Sequence, residues 1–264
     1  MDLPIVCFDM DGTLLDEQGR IHPEDLEMLM SAKPPALFIP STGRPLDSTR
    51  RAFTRNGLYP GTPIPLHMVL QNGALLFQSG EVRLAYDELD AEIQRQLIEL
   101  ANDFREVTFL FFSAADIYVL WPNEFGLSLA ASFDFVLRPL DEYEGTDPLS
   151  KVMCFCERPD ALLSIARVVE GWPLDRCHSM PGIFEVANYG VNKGSGVARL
   201  LQQIGLAGCP VYAAGDWGND LPLFQIAAAS FAPATAPEVT KNAATYVIDV
   251  GKHGLFKPIL QRII

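Results

Sequence analysis

Long apolar runs are missing from this sequence: no stretch reaches the roughly 18 consecutive apolar residues that a membrane-spanning helix needs. Nor does a basic stretch followed by an apolar segment open the chain, so no secretory signal is expected. Basic residues are few. Twenty Lys and Arg stand against 33 Asp and Glu, for a net charge of -13. Such a surface disfavours nucleic-acid backbones and anionic membranes as partners. It would also repel a phosphorylated small molecule at long range, so any anion site must be local and cationic. Only four histidines occur (His22, His67, His178, His253), and none forms a spaced ligand pair, which argues against zinc. The five cysteines (Cys7, Cys154, Cys156, Cys177, Cys209) are odd in number and scattered, which suits a reducing, cytoplasmic setting. Cys154 and Cys156 alternate within "KVMCFCERP", so a strand would put both on one face, as packing residues. Internal repeats and low-complexity segments are also lacking.

What the chain does have is length and apolar content. Its 264 residues are 48% hydrophobic, with 20 Gly and 20 Pro spread widely, as in an ordinary globular protein. "PIVCFDM" is a short apolar strand that stops at acids and a Gly. "HPEDLEMLMSAK" follows with helical spacing and an acidic first turn. "PALFIPSTGRP" is a second buried-type strand, and "DSTRRAFTRNG" a helix closed by Gly57. This β-α-β-α order predicts an α/β, Rossmann-like parallel sheet covered by helices on both faces.

From about residue 82 the texture changes. "DAEIQRQLIELANDF" reads as an amphipathic helix, "VTFLFFSAADIYVLWP" as two aromatic strands with a turn at Ala114–Asp116, and "SKVMCFC" and "GIFEVANYG" as further strands. After "GVNKGSGVARLLQQIG" the opening pattern resumes with "CPVYAAGDWGNDLPLF" and "ASFAPATAPEVTKNAATYVIDV". The expectation is a split core, residues 1–81 and 187–264, with an α+β domain of residues 82–186 inserted between its halves.

Four stretches place polar residues just after a strand or at the opening of a helix: "DMDGT" (9–13), "STGR" (41–44), "NKG" (192–194) and "GDWGND" (215–220). In that order, with "QNGA" at 71–74 and the insert after the second motif, they resemble the haloacid dehalogenase (HAD) superfamily, more narrowly its Cof-like sugar-phosphatase branch. The resemblance runs along essentially the whole chain and is stronger in the core than in the insert. It implies a phosphomonoester hydrolase that works on a small phosphorylated metabolite such as a sugar phosphate, with Mg²⁺ and a cap domain over the site.

Asp9 and Asp11 share one side of a strand end because side chains repeat every two residues. Two carboxylates so placed repel each other, and a bound Mg²⁺ would relieve that. In the resembling family the first acid attacks phosphorus to form an aspartyl-phosphate, while the second protonates the leaving oxygen and later activates water. The family ligates its metal through the second acid's backbone carbonyl. Thr42 offers a hydroxyl and a backbone amide to phosphate beside Gly43, which lets the chain approach closely. Arg44 either holds phosphate or substrate or makes a surface salt bridge. Lys193 supplies a compact counter-charge for phosphate and nucleophile. By resemblance Asp216 is a metal-binding acid, Asp220 supports the metal directly or through water, and Asn219 makes a phosphate or supporting hydrogen bond.

The chain departs from the family pattern in two places. Trp217-Gly218 stands where relatives often carry a polar or acidic pair, so Trp217 either packs or stacks on a substrate ring. "APATAPE" replaces a Gly-Asn turn. Three rival readings remain at the level of sequence: a phosphomutase of the same fold, a non-catalytic metal- or phosphate-binding relative, and a receiver-like domain phosphorylated on Asp. A receiver has no use for a leaving-group acid or a cap, and the second reading must explain why no motif acid or Lys is missing.

Overall fold

The structure, a computed structural model, describes residues 3–263. Its central sheet starts from β1 (Ile5–Phe8), four residues that are all buried. Next in chain order come α1 (Pro23–Met30), β2 (Leu37–Pro40) and α2 (Leu46–Arg55), then β3 (Met68–Leu70), β4 (Leu75–Gln78) and β5 (Val82–Tyr86). Pro23 opens α1, where a missing N–H costs nothing, and Glu24 and Asp25 complement the positive end of the helix dipole. The insert holds α3 (Ala91–Ala101), β6 (Thr108–Phe112), β7 (Ile117–Leu120), α4 (Glu124–Ser132), β8 (Leu137–Pro139), β9 (Lys151–Phe155), α5 (Pro159–Val168), β10 (Leu174–Met180) and β11 (Ile183–Asn188). The chain finishes with α6 (Lys193–Gln203), β12 (Val211–Ala214), α7 (Leu221–Ile226), β13 (Ala229–Pro233), α8 (Glu238–Ala243), β14 (Tyr246–Ile248), α9 (Val250–His253) and α10 (Phe256–Ile263).

The core sheet is parallel, in the order β14-β13-β12-β1-β2. The chain leaves β1 towards β2 on one side and returns as β12 on the other. Such a switch point opens a crevice beyond the carboxyl ends of the strands, which is where ligands bind in open α/β sheets. Phe8, Phe38 and Phe256 pack together beneath it. Asp25 is buried, and its carboxylate accepts from the Leu255 and Phe256 amides at 2.7 and 2.9 Å, capping α10 onto the core.

A second sheet of six strands, β10-β11-β9-β6-β7-β8, is antiparallel except for the β7–β8 pair. Because strand side chains alternate, Phe109, Phe111, Val152, Cys154, Phe184 and Val186 face α3 and α5. Leu110, Phe112, Met153, Phe155 and Ile183 take the opposite face, beside α4. Cys154 and Cys156 lie in the first of these clusters, as free, buried thiols. Lys151 and Glu185 fall in register with Met153 and Ile183 on the second face, which looks towards the core crevice.

A small antiparallel sheet, β3-β4-β5, joins the two parts. β5 pairs with β4, so a division at residue 82 falls between two hydrogen-bonded strands, and β11 continues past residue 186 to Asn188.

Candidate active site

Asp9 leaves the end of β1 with its amide donating to the Ala214 carbonyl at 2.9 Å, which stitches it to the end of β12. Gly12 follows at φ +73°, and a Cβ there would sit 2.1 Å from Asp216 Oδ2. Only glycine allows the β1 loop and the β12 loop to approach this closely. On the other flank, Asn192 and Ser195 form a reciprocal capping box that starts α6 at Lys193. Lys193 is fully buried, and its ammonium lies 2.7 Å from both Asp9 Oδ1 and Asp220 Oδ1.

Asp9, Asp216 and Asp220 present carboxylate oxygens within 4.8 Å of one another. One ammonium faces three acids. Burial pushes the Asp9 carboxyl up, Lys193 pulls it back, and Asp220 and Asp11 add repulsion, leaving it at about 7. For Asp216 burial and then the Asp9 and Asp220 charges raise it to about 9. Burial alone would push the Lys193 ammonium down, but Asp220 and Asp9 hold it above the usual lysine range. Asp220 is the most engaged of the three: Oδ1 accepts from Lys193, and Oδ2 accepts from the Asp216 and Trp217 amides at 3.0 and 3.1 Å. It shapes its loop, while Asp9 and Asp216 keep oxygen sites open.

Asp11 goes elsewhere. Its carboxylate receives both arms of Arg44, Nε at 2.7 Å and Nη2 at 2.6 Å, and stays out of the three-acid cluster. Arg44 is therefore no surface ion-pair residue; it is 4% exposed. The Thr42 amide is taken up by the Val69 carbonyl at 2.9 Å, while its hydroxyl accepts from the Arg44 amide at 3.2 Å and keeps its O–H to donate. The Gly43 amide beside it lines the crevice with no partner among the described residues.

Arg44 is also the hinge of a contact with the inserted domain. Its Nη1 and the Ser48 hydroxyl both donate to the Phe133 carbonyl, at 2.8 and 2.6 Å. Asp134, at φ +57°, presents its carbonyl to Arg51 Nε at 3.0 Å and its carboxylate to Arg55 and Arg44. The turn after α4 is thus latched onto α2. Asp134→Ala should raise the open population roughly tenfold or more, given the usual strength of charged hydrogen bonds. Hydrogen exchange at the amides of residues 133–135 should rise selectively; unchanged exchange there would argue against a latch.

Opposite the acids, Lys151 and Glu185 descend from the cap sheet as a buried ion pair at 2.7 Å. Lys151 also donates to the Gly43 carbonyl at 3.0 Å, and Glu185 Oε2 accepts from Asn72 Nδ2 at 2.9 Å. Asn219 Nδ2 reaches Asn72 Oδ1 at 3.3 Å, while Asn219 Oδ1 is buried without a hydrogen bond. Gly218 lets the cap come this near: a Cβ would lie 2.9 Å from the His178 carbonyl of β10. Trp217 is half-buried and lines the crevice from the core side. The cavity directly over Asp9 and Asp11 is about 50 Å³, room for a few waters, and a second of about 400 Å³ lies beside it between core and cap, where Lys151, Arg176, Glu185, Lys193 and Asn219 line it. Sequence reasoning did not single out Lys151, Glu185 or the Phe133–Phe135 turn. A charge inside each of the apolar runs "KVMCFC" and "IFEVA" was the available signal for the ion pair.

A parallel sheet whose switch point carries a lysine-bridged acid cluster, roofed by an inserted sheet, defines an α/β enzyme with a covered site. The family model for haloacid dehalogenase-like hydrolases matches residues 6–257, and the chain belongs to that family. YxeH of Bacillus subtilis (strain 168), which carries a phosphatase's name, is 27% identical over 98% of this chain and 98% of its own. A haloacid dehalogenase-like hydrolase from B. subtilis superposes with a TM-score of 0.86 at 18% identity, covering 99% of this chain and 100% of that one. The HAD subclass IIB sugar phosphatase BT4131 gives 0.80 at 21% identity over 98% of each chain.

Proposed function

We propose that the protein is a cytoplasmic, Mg²⁺-dependent phosphomonoester hydrolase of small phosphorylated metabolites, a sugar phosphate or similar, working through an aspartyl-phosphate on Asp9. The observation that carries this is the division of the paired acids: Asp9 lies dry against Lys193, whereas Asp11 is turned to Arg44 at the crevice. The Asp9 carboxylate attacks phosphorus as the bond to the leaving oxygen breaks, and Asp11 delivers the proton that makes the departing group a neutral alcohol. Asp11 then takes a proton from water as it attacks the phosphoaspartate, releasing inorganic phosphate and restoring Asp9. Lys193 balances the nucleophile and the incoming phosphoryl oxygens. The Thr42 hydroxyl, the Gly43 amide and Asn219 border the space for those oxygens, and Arg44 holds Asp11.

The donor set fits Mg²⁺: oxygen donors only, with three carboxylates mutually close and more negative charge than one ammonium cancels. Asp9, Asp216 and the Asp11 carbonyl would hold the ion, with Asp220 fixing the loop. Bound there, it supplies charge neutralisation for attack on a phosphate dianion. The cap in this reading runs from the connection after β5 to the end of β11. It opens to admit substrate, because the space directly over Asp9 and Asp11, about 50 Å³, holds no phosphoryl group with its alcohol.

A phosphate-release screen over sugar phosphates, nucleotides and other phosphorylated metabolites, with Mg²⁺ and with EDTA, tests the proposal. Turnover that requires Mg²⁺ is expected; none with Mg²⁺, on any ester, would overturn it. Asp11→Asn should slow turnover by roughly 10²–10⁴-fold, the usual loss for a missing general acid–base group. With an aryl phosphate, whose leaving group needs little protonation, phosphoenzyme should accumulate, visible by intact-protein mass spectrometry after acid quench.

A further inference from the structure

The cap wall of the crevice has a chemistry of its own. Phe133 and Phe135 form a stacked pair with ring centroids 5.3 Å apart, and Met153 and Met180 extend that apolar wall opposite Trp217. The pair is held in place from behind, since the Phe133 carbonyl is gripped by Arg44 and Ser48, and Phe112 meets Phe135 edge-on at 5.4 Å. Thioethers and ring faces of this kind accept a flat apolar surface.

The cations around this space are already committed. Arg44 is occupied by Asp11, Ser48 and the Phe133 carbonyl. Lys151 is wholly buried, bonded to Glu185 and the Gly43 carbonyl, and lies over the Phe112 ring at 4.6 Å. Glu185 is different. It is 4% exposed and lines the crevice; Oε2 takes both Lys151 and Asn72, and Oε1 has no hydrogen-bond partner among the described residues. Oε1 keeps access to the solvent-filled space, so a hydrogen-bond donor on a bound substrate would take the place of water there, whereas a bound group without a donor would strip that water and leave the oxygen unpaired.

Resting on the phosphatase reading above, we infer that Glu185 selects the leaving group: an uncharged or cationic alcohol with a flat apolar face and a hydroxyl or N–H donor for Oε1. Esters carrying a second anionic group, a carboxylate or another phosphate, are disfavoured because Glu185 repels them and Arg44, the one cation among the described residues lining this crevice, is already paired. Discrimination is expected to be considerable, since a buried polar group left unpaired by the wrong substrate penalises that substrate.

Two aryl phosphates of similar leaving-group acidity test this: one with a para hydroxymethyl group, one with a para carboxylate. Intact protein with Mg²⁺ should favour the hydroxymethyl ester in kcat/KM by roughly tenfold or more. Glu185→Gln should shrink that ratio several-fold. Because Glu185 also anchors Lys151, Met180→Lys is the companion variant: Met180 is only half-buried, and the new ammonium should raise kcat/KM for the carboxylate ester by roughly tenfold. Equal rates on the two esters with the unaltered protein, or a folded Met180→Lys variant with an unchanged ratio, would overturn the inference while leaving the phosphatase reading intact. Failure of both esters beside turnover of other esters in the phosphate-release screen would overturn this inference alone, and failure of every ester tried would overturn the phosphatase reading, and this inference with it.

Discussion

Asp9→Asn is expected to yield a folded protein that hydrolyses no phosphate ester at a measurable rate, with a loss of roughly 10⁴-fold or more. An amide of the same shape occupies the same volume but offers no anionic oxygen to phosphorus. Folding should survive, because Lys193 keeps Asp220 as a partner at 2.7 Å. The change also removes one of three mutually repelling acids, so the metal-free variant should melt higher than the unaltered protein. That pairing of outcomes separates a lost nucleophile from a damaged fold. Isotopically labelled phosphate should mark a peptide containing Asp9 in the parent and nothing in the variant. Label on Asp11, or turnover kept in Asp9→Asn, would reverse the roles assigned to the two acids.

The parts of the molecule that could be read from sequence are those where local pattern and tertiary environment agree. "IVCF" and "LFIP" are short apolar runs because both faces of a parallel sheet are covered, and they became β1 and β2. The unbroken apolar run in "FLFF" matched a sheet covered on both faces, so Phe109 and Phe111 pack to one side and Leu110 and Phe112 to the other. β10 was less visible: "LDRCHSM" is an edge strand mixing polar and apolar residues, with a register shift between His178 and Met180. α4 was hidden by its composition, "EFGLSLAAS", whose small residues give weak amphipathic contrast. Its one close packing demand falls on Gly126, where a Cβ would meet Thr108.

At the site, sequence position identified which residues gather but not how they divide their bonds. Asp9 and Asp11 were placed together by spacing, yet their side chains are drawn to different cations, Lys193 and Arg44. Those partners come from segments 184 and 33 residues away, which no local rule reaches. The cap's contribution was illegible for the same reason. Lys151 and Glu185 are neighbours only because β9 and β11 pair, and they meet Asn72 and Gly43 only because the cap folds down over the core.

Metal removal should couple stability to pH in a direction set by the raised acids. Asp9 and Asp216 stand at about 7 and about 9, against an ordinary value of 3.8. Between the ordinary and the raised value the folded chain holds protons that the unfolded chain has released. Stability of the metal-free protein therefore falls as pH rises through that window. The cost is absent below the ordinary value and complete above the raised ones. Mg²⁺ replaces those protons, so its affinity should climb roughly tenfold per pH unit for each proton displaced. At a hundredfold excess over Kd, binding adds roughly 2.7 kcal/mol, or about 5–10 °C in Tm for a chain of this size. Thermal melts with Mg²⁺ and with EDTA should therefore converge near pH ~5 and separate steadily towards pH ~9. Asp216→Asn should abolish the separation and raise the EDTA melt, because one repelling carboxylate is gone and one metal oxygen with it. A Mg²⁺ shift that is flat with pH, or larger in acid, would mean that the ion does not displace protons from these acids, and the metal site would have to lie elsewhere.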